Sequence, residues 1–357
     1  MDYDKRWADV ARILVDYSTG TRDGDRCLII MRETESSPLM RAVYARAIER
    51  GAYPQVLFSS TFLERDLMKR GSADQIAWEP ELFMRAMDWA DVCVDLRAAA
   101  NLYEFADIDS TVISAHRKAE GAVSAKRTQS TRWTICRIPT AALAQQAGRS
   151  LDTMMDFFFE ATLLDWEGES AALNRRLERL GGTKEVRITA PGTDLKFSTE
   201  GRSYVAEDGH INMPGGELFT APVEDSVEGH IYFEDPGVFA GTLMEDIRLD
   251  FAVGEVVSSS ARTNEGFLRE VLAMDDGARR VGEFGIGTNP RVTFASKDIL
   301  YDEKIFGTIH IALGRSYSQC GGKNQSALHW DIVKDLRRGG TVTVDGVVIL
   351  EDGKLLI

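Results

Sequence analysis

The first half of the chain alternates short apolar runs with longer segments in which apolar residues recur at helical spacing. The apolar runs, typical of buried strands, cover residues 27–31, 55–58, 92–96 and 133–138. The helical spacing covers residues 4–17, 37–51, 60–70, 80–89, 111–126 and 150–180. Strands separated by helices form βαβ units, so we predict an α/β N-terminal domain with a parallel sheet over residues 1–165.

The pattern changes after Gly181 and Gly182. Apolar and polar positions then alternate, as in half-buried strands, over residues 186–189, 194–197, 230–233 and 247–253. Turns rich in glycine and aspartate separate these segments and favour antiparallel pairing. Residues 264–275 are predicted to form a helix, and residues 328–338 fit a second one. We therefore predict an α+β C-terminal domain, rich in antiparallel strands, over residues 166–357.

The composition of the chain argues against some classes of binding partner. The chain has 357 residues, of which 44% are hydrophobic and 27% charged, and its net charge is −14. This acidity argues against nucleic acid or an anionic membrane surface as a partner, because both require basic patches. No run reaches the ~20 apolar residues of a membrane span, and the first residues do not resemble a signal peptide. The four cysteines are scattered, which predicts reduced, buried thiols in a cytoplasmic protein.

The candidate chemistry is concentrated near the C-terminus. His310 and Tyr317 lie in one stretch, and His329 and Asp331 follow with Trp330 between them. In an extended segment alternate side chains point the same way, so His329 and Asp331 can reach one metal ion. Imidazole and carboxylate ligands without cysteine are typical of hydrolytic zinc, manganese or cobalt centres and of non-haem iron centres.

Two glutamates extend this set. Glu217 follows two glycines, whose tight backbone path can turn its carboxylate inward, although a surface turn explains the same pattern. Glu283 stands among small and apolar residues, where an unpaired carboxylate is costly unless a cation accompanies it. A salt bridge to Arg279 or Arg280 is the alternative explanation.

Other polar residues have simpler interpretations. His310 alone would be a core histidine. Arg315 could bind a substrate carboxylate or form a structural ion pair. His116 stands beside Arg117 and Lys118 in a basic helical patch, which predicts a solvated side chain.

Five stretches together resemble the aminopeptidase T/aminopeptidase S family of thermophilic-type metallo-aminopeptidases. They are residues 212–222 (NMPGGELFTAP), 262–267 (RTNEGF), 282–289 (GEFGIGTN), 309–317 (IHIALGRSY) and 329–331 (HWD). The stretches occur in the family's order and cover the C-terminal half. The N-terminal half is similar to the family only in outline.

The resemblance implies a dinuclear metal-dependent hydrolase that releases N-terminal amino acids through a metal-bridging water. Two divalent ions (zinc, cobalt or manganese) would be held by Glu217, Glu283, His310, His329 and Asp331. Tyr317 would assist catalysis, as would Glu283, and Glu303 matches a further family acid only if the spacing before His310 is longer here. The resemblance also implies a cytoplasmic homodimer acting on a peptide or small amide.

A second family shares this scaffold. The chain also resembles 2,5-dihydroxypyridine 5,6-dioxygenase, in which a histidine stands at the position of Glu283. A single Fe(II) held by His310, His329 and Asp331 would then open an aromatic ring. The alternative function is thus a non-peptidase, either such a dioxygenase or an amidohydrolase acting on a small aromatic catabolite. A glutamate at position 283 favours two metal ions over one.

Overall fold

The computed structural model describes residues 4–357, which divide into two compact units. The first unit contains residues 4–164 and 209–215, and the second contains residues 165–208 and 216–357. The chain thus returns briefly to the first unit after the second has begun.

The helices precede most of the strands along the chain. They are α1 (Arg6–Arg12), α2 (Ser37–Glu49), α3 (Thr61–Arg70), α4 (Ala73–Ile76), α5 (Glu81–Trp89), α6 (Ser110–Ser130), α7 (Ala141–Ala147), α8 (Leu151–Thr162), α9 (Trp166–Leu180), α10 (Glu265–Leu272) and α11 (Ile299–Asp302). A π-helical segment (Ile13–Ser18) continues α1, and short 3₁₀ turns cover Thr34–Ser36 and Ser318–Cys320.

The strands form a five-stranded sheet in the first unit, and an eight-stranded sheet, a five-stranded sheet and a two-stranded pair in the second. They are β1 (Arg26–Arg32), β2 (Tyr53–Ser59), β3 (Val92–Arg97), β4 (Arg132–Arg137), β5 (Glu185–Ala190), β6 (Thr193–Ser198), β7 (Val205–Glu207), β8 (Asn212–Met213), β9 (Glu217–Thr220), β10 (Glu228–Phe233), β11 (Gly237–Phe239), β12 (Thr242–Met244), β13 (Ile247–Ala252), β14 (Glu255–Ser260), β15 (Val281–Gly287), β16 (Thr308–Gly314), β17 (His329–Asp335), β18 (Thr341–Val344), β19 (Val347–Glu351) and β20 (Lys354–Leu355).

The first unit is built on a five-stranded parallel sheet in the order β2-β1-β3-β4-β8. The central strands are buried on both faces, which explains why their sequences are continuously apolar rather than alternating. Helices connect the strands as crossovers. The prediction of an α/β unit with a parallel sheet is confirmed.

The second unit packs two antiparallel sheets around one apolar core. The larger sheet has the order β14-β13-β10-β6-β5-β18-β19-β20, and the smaller has the order β17-β16-β15-β9-β7. Their facing side chains interlock, as where the ring of Phe197 on β6 meets that of Phe284 on β15 at 5.2 Å between centroids. The α+β class with antiparallel strands is also confirmed.

Two predicted elements differ from the structure. The helix predicted over residues 150–180 is two helices, because the chain leaves helical geometry at Leu163 and Asp165 caps α9 by accepting from the Gly168 amide. The prediction of a second helix over residues 328–338 is wrong. This segment contains β17, which pairs with β16 along its whole length and buries Trp330 and Ile332 in the core.

None of the helices between residues 4 and 357 combines the length and the apolar character that a bilayer-spanning helix requires. All four cysteines are free and buried, as predicted.

Candidate metal centre

The smaller sheet of the second unit has one apolar face and one polar face. Paired residues on neighbouring strands share a face, and Glu283 on β15, Ala312 on β16 and Asp331 on β17 form one such row. His310 pairs with Gly285 in the next row, while Glu217 on β9 pairs with Gly287 and His329 with Gly314. All five predicted ligands therefore project from the polar face. The other face carries Phe284, Ile311 and Trp330 into the core.

These side chains meet. His310 Nε2 lies 3.3 Å from Glu217 Oε2 and 3.5 Å from Glu283 Oε1. The other oxygen of Glu283 lies 3.5 Å from His329 Nε2, which is 3.4 Å from Asp331 Oδ2. Glu283 thus stands between the two histidines. The sequence-predicted residues form one cluster rather than scattered surface positions.

Gly285 makes room for the His310 ring. A Cβ atom at position 285 would lie 2.0 Å from His310 Cε1 and 2.1 Å from Nε2, well inside any normal contact. The imidazole therefore lies across the backbone of β15, where only a glycine is tolerated. This placement directs Nε2 toward both glutamates.

Two residues beyond the predicted five complete the cluster. Glu303, which follows α11, can meet His310 and Asp331 with ligand atoms within 4.8 Å of one another. Lys304 is fully buried and donates from Nζ to Glu217 Oε1 and Glu303 Oε1, each at 2.5 Å. Sequence reasoning missed Lys304, because a charged pair before a strand is usually solvated. Its only signal was its place directly after a candidate acid.

Burial and mutual charge shift the protonation of this cluster. Burial raises the pKa of Glu283, and the carboxylates of Asp331 and Glu217 add to the rise against the opposing contact with His310. Burial also raises the pKa of Glu303 well above its usual value, in spite of Lys304. Burial alone would lower the pKa of His310, but Glu283 and Glu217 raise it to about 9. The neighbouring carboxylates thus contribute to all three raised pKa values, after burial in the case of the two glutamates.

Tyr317 and Arg315 border the cluster. The Tyr317 hydroxyl lies 3.4 Å from His329 Nε2, and its ring packs edge-on against Phe219. Although the residue is 36% exposed, burial of the phenol and the negative charge of Glu283 raise its pKa well above the usual value. His329 Nδ1 lies 2.8 Å from the Arg315 carbonyl, which can only accept. Nδ1 therefore carries the hydrogen, and the Nε2 lone pair faces the carboxylates.

Two simpler explanations of the sequence do not match these contacts. Arg280 pairs with Glu255, and the ion-pair partners of Glu283 within the described residues are His310 and His329 rather than Arg279 or Arg280. Glu217 is 4% exposed and sits in β9, so it is not a surface turn residue.

The cluster contains buried nitrogen and oxygen atoms that make no hydrogen bond, which fits the binding of a cation. Glu217 Oε2 and both ring nitrogens of His310 are buried and accept or donate no hydrogen bond. Such atoms are rare in folded proteins, because each costs free energy unless something binds it. Three groups of ligand atoms in the described residues 4–357 could each hold an ion. They are Glu217 with Glu283 and His310, Glu283 with His329 and Asp331, and Glu303 with His310 and Asp331.

Known proteins resemble this chain over nearly its whole length. Aminopeptidase 2 of Geobacillus stearothermophilus is 24% identical over 404 aligned residues, which cover 99% of this chain and 96% of that protein. The solved structure of wild-type AmpT from Thermus thermophilus superposes with a TM-score of 0.88 at 22% identity, over 99% of this chain and 100% of that one.

A more distant fold relative is 2,5-dihydroxypyridine dioxygenase from Pseudomonas putida KT2440. Its structure gives a TM-score of 0.61 at 15% identity, over 98% of this chain and 96% of that one. The family model that matches the sequence is described as thermophilic metalloprotease (M29), and it matches residues 3–355. Since that match leaves out only the ends of the sequence, the chain belongs to the thermophilic metalloprotease (M29) family.

Proposed function

We propose that this protein is a metallo-aminopeptidase whose second unit holds two divalent metal ions, zinc, cobalt or manganese, side by side. The proposed ligands are Glu217, Glu283, His310, His329 and Asp331. The membership of the metalloprotease family supports the class of reaction. The similarity to aminopeptidase 2 supports removal of residues from the N-terminus of a peptide.

The observation that carries the two-ion proposal is the position of Glu283. It belongs to two ligand groups at once, one with Glu217 and His310 and one with His329 and Asp331. A carboxylate has two oxygens, and those of Glu283 face different histidines. One residue can therefore serve two neighbouring ions.

The charge of the cluster also supports two ions. Four carboxylates, of Glu217, Glu283, Glu303 and Asp331, face a single ammonium, that of Lys304. In the protonation state that binds metal, with neutral histidines and ionised carboxylates, this leaves three negative charges in a mostly buried site. Buried charges are costly unless they are paired, and one divalent ion would leave the site negative.

The side chains of this chain have distinct tasks in the proposed reaction. When bound, such ions supply an activated water and polarise the scissile carbonyl. Glu283 is also the proposed acid–base residue, because a carboxylate oxygen that is not engaged by an ion can take a proton and later release it to the leaving amine. Tyr317 remains protonated at neutral pH and can donate from its hydroxyl to the developing oxyanion. Lys304 and the Arg315 carbonyl orient Glu217 and His329.

The second candidate function is that of a single-iron ring-cleaving dioxygenase. The similarity of the fold to the dioxygenase structure supports this alternative. An iron site of that kind needs His310, His329 and Asp331 around one ion. None of the three ligand groups in residues 4–357 contains both histidines. The arrangement therefore supports the two-ion peptidase more strongly.

The test uses the purified protein, depleted of metal by a chelator and reloaded with zinc, cobalt or manganese. We expect metal-dependent release of the chromophore from aminoacyl p-nitroanilides and no oxygen uptake with a dihydroxypyridine. Glu283→Gln keeps the side-chain shape and should abolish this release. Glu351→Gln, an exposed glutamate of the same unit, is the matched control and should keep it. Unchanged peptide turnover in Glu283→Gln would overturn the assignment.

We also propose, from the family resemblance, that the protein works as a homodimer in the cytoplasm. Light scattering coupled to size exclusion should then give about twice the 39.6 kDa of one chain.

A further inference from the structure

Three arginines stand side by side at the carboxyl ends of neighbouring strands in the first unit. Arg32 ends β1, Arg97 ends β3 and Arg137 ends β4, and register pairs Arg32 with Arg97 and Arg97 with Arg137. Paired residues share a face, and adjacent strands lie about 4.8 Å apart. Three like charges in such a row repel one another. This edge of an open α/β sheet is also where such folds bind ligands.

The arginine row borders a cavity of about 420 Å³. Arg117 and Arg127 of α6 add two more guanidinium groups to its wall. Apolar side chains line the remainder, among them Ile30, Met87 and Phe105. The volume lies within the range of about 300–1,000 Å³ that small-molecule sites occupy. The lining offers both a cationic region and an apolar region.

Arginine side chains outnumber carboxylates around the cavity, although the net charge of the protein is −14. Five arginines line it together with Glu64 and Glu120, and the buried Asp95 lies behind them. Asp95 accepts from Arg32, Arg97 and Arg127, at 2.8, 3.1 and 2.9 Å. That single carboxylate fixes three guanidinium groups in place. Their remaining donors are thereby pre-oriented at low entropic cost.

Two buried donors at the cavity have no hydrogen-bond partner. Arg127 is 5% exposed and stacks on Trp133 at 4.3 Å, yet its Nε bonds to nothing. His116 is 7% exposed, and its Nε2 also makes no hydrogen bond, because the Glu64 carboxylate oxygen 3.8 Å away is within ion-pair distance but beyond hydrogen-bond distance. The sequence-based expectation that His116 is solvated is therefore wrong. Buried donors of this kind indicate an acceptor that the chain itself does not supply.

We propose that this cavity binds a small organic anion with a phosphate or dicarboxylate head and an apolar body. Planar guanidinium groups match the oxygens of phosphate esters and of dicarboxylates, which can each accept two parallel hydrogen bonds from an arginine. The apolar wall formed by Ile30, Met87 and Phe105 accommodates the body of the ligand. The site lies wholly within the first unit and is independent of the metal-centre proposal.

The test is calorimetric titration of the full-length protein with phenyl phosphate and with phenylmalonate. We expect at least one of the two to bind saturably at one molecule per chain. Inorganic phosphate and benzyl alcohol, which carry only the head or only the body, should bind about tenfold more weakly or not at all. Which of the two aryl dianions binds more tightly distinguishes a phosphate ester from a dicarboxylate.

Two neighbouring residues of α6 give a matched pair of variants. Arg117→Gln removes an exposed charge at the cavity and should weaken binding about tenfold, as expected for a lost charged hydrogen bond. Lys118→Gln removes an exposed charge one residue away, outside the cavity lining, and should change affinity less than about twofold. Arg97→Lys keeps the positive charge beside Asp95 but removes the planar guanidinium group with its paired donors, so it should also weaken binding.

A repeat in the Glu283→Gln background separates this cavity from the metal centre, and binding should persist there. The proposal is overturned if neither aryl dianion binds saturably, or if Arg117→Gln and Lys118→Gln weaken binding equally. Loss of binding in Glu283→Gln would also overturn it.

Discussion

Replacing Gly285 by alanine tests how the smaller sheet positions the His310 ring. The added Cβ would lie 2.0 Å from His310 Cε1. Carbon atoms in contact stay about 3.5 Å apart, so the ring or the strand has to move by about 1.5 Å. His310 is fully buried and has glutamate oxygens at 3.3 and 3.5 Å, so little free space is available.

The expected cost has two parts. Overpacking of this kind destabilises a protein by about 1–3 kcal/mol. A catalytic group displaced by about 1 Å loses on the order of 10²-fold in rate. We therefore expect Gly285→Ala to unfold at lower urea concentration and to release p-nitroaniline at about one hundredth of the wild-type rate. Gly266→Ala is the control, because a Cβ there meets nothing within 4 Å and α10 tolerates alanine.

A double-mutant cycle identifies the cause. In a His310→Ala background the ring is gone, so adding Gly285→Ala should cost less than about 0.5 kcal/mol, with a coupling energy close to the whole single-variant cost. If Gly285→Ala destabilises that background as much as it destabilises the wild type, the imidazole is not what excludes a side chain at position 285.

Three further changes have defined outcomes. Lys304→Met leaves its two glutamate partners buried without their cation, and urea unfolding in the presence of EDTA should show a loss of about 3–5 kcal/mol; a loss below about 1 kcal/mol would contradict the ion-pair assignment. Tyr317→Phe should lower kcat by about 10²–10³-fold with KM and metal content nearly unchanged, whereas a change confined to KM would argue for substrate binding alone. Pairing with Glu64 raises the pKa of His116, so the stability from this pair is complete below about pH 6.5 and disappears as the pH rises through the raised value. Glu64→Gln should therefore be further below the wild type in stability at pH 5.5 than at pH 9, and equal differences at both would contradict the pairing.

The sequence predicts the elements of the fold correctly where the spacing of apolar residues matches their burial in the structure. Strands such as β1 and β3 are buried on both faces, so their sequences are continuously apolar and their type is unambiguous. The local pattern of residues 328–338 suits both a helix and a strand, so it does not by itself predict the right one. Pairing with β16, a contact between distant parts of the chain, decides for a strand.

Motifs located the five proposed ligands, but the residues that support them depend on register. Gly285 is one of several glycines in its motif, and only its pairing with His310 shows which ring lies over it. Lys304 belongs to the site through a contact with Glu217, 87 residues earlier in the chain. The sequence does not show the burial of His116, because its neighbours Arg117 and Lys118 are charged, while the helical spacing places it with the buried Ala119 and Val123.

The number of metal ions per chain tests the central proposal most directly. Elemental analysis of the purified protein should give two zinc, cobalt or manganese ions per chain. The Glu283→Gln variant should lose at least one of them, because Glu283 is the carboxylate shared by both ligand groups. One iron per chain, or a metal content that is unchanged in Glu283→Gln, would contradict a two-ion centre.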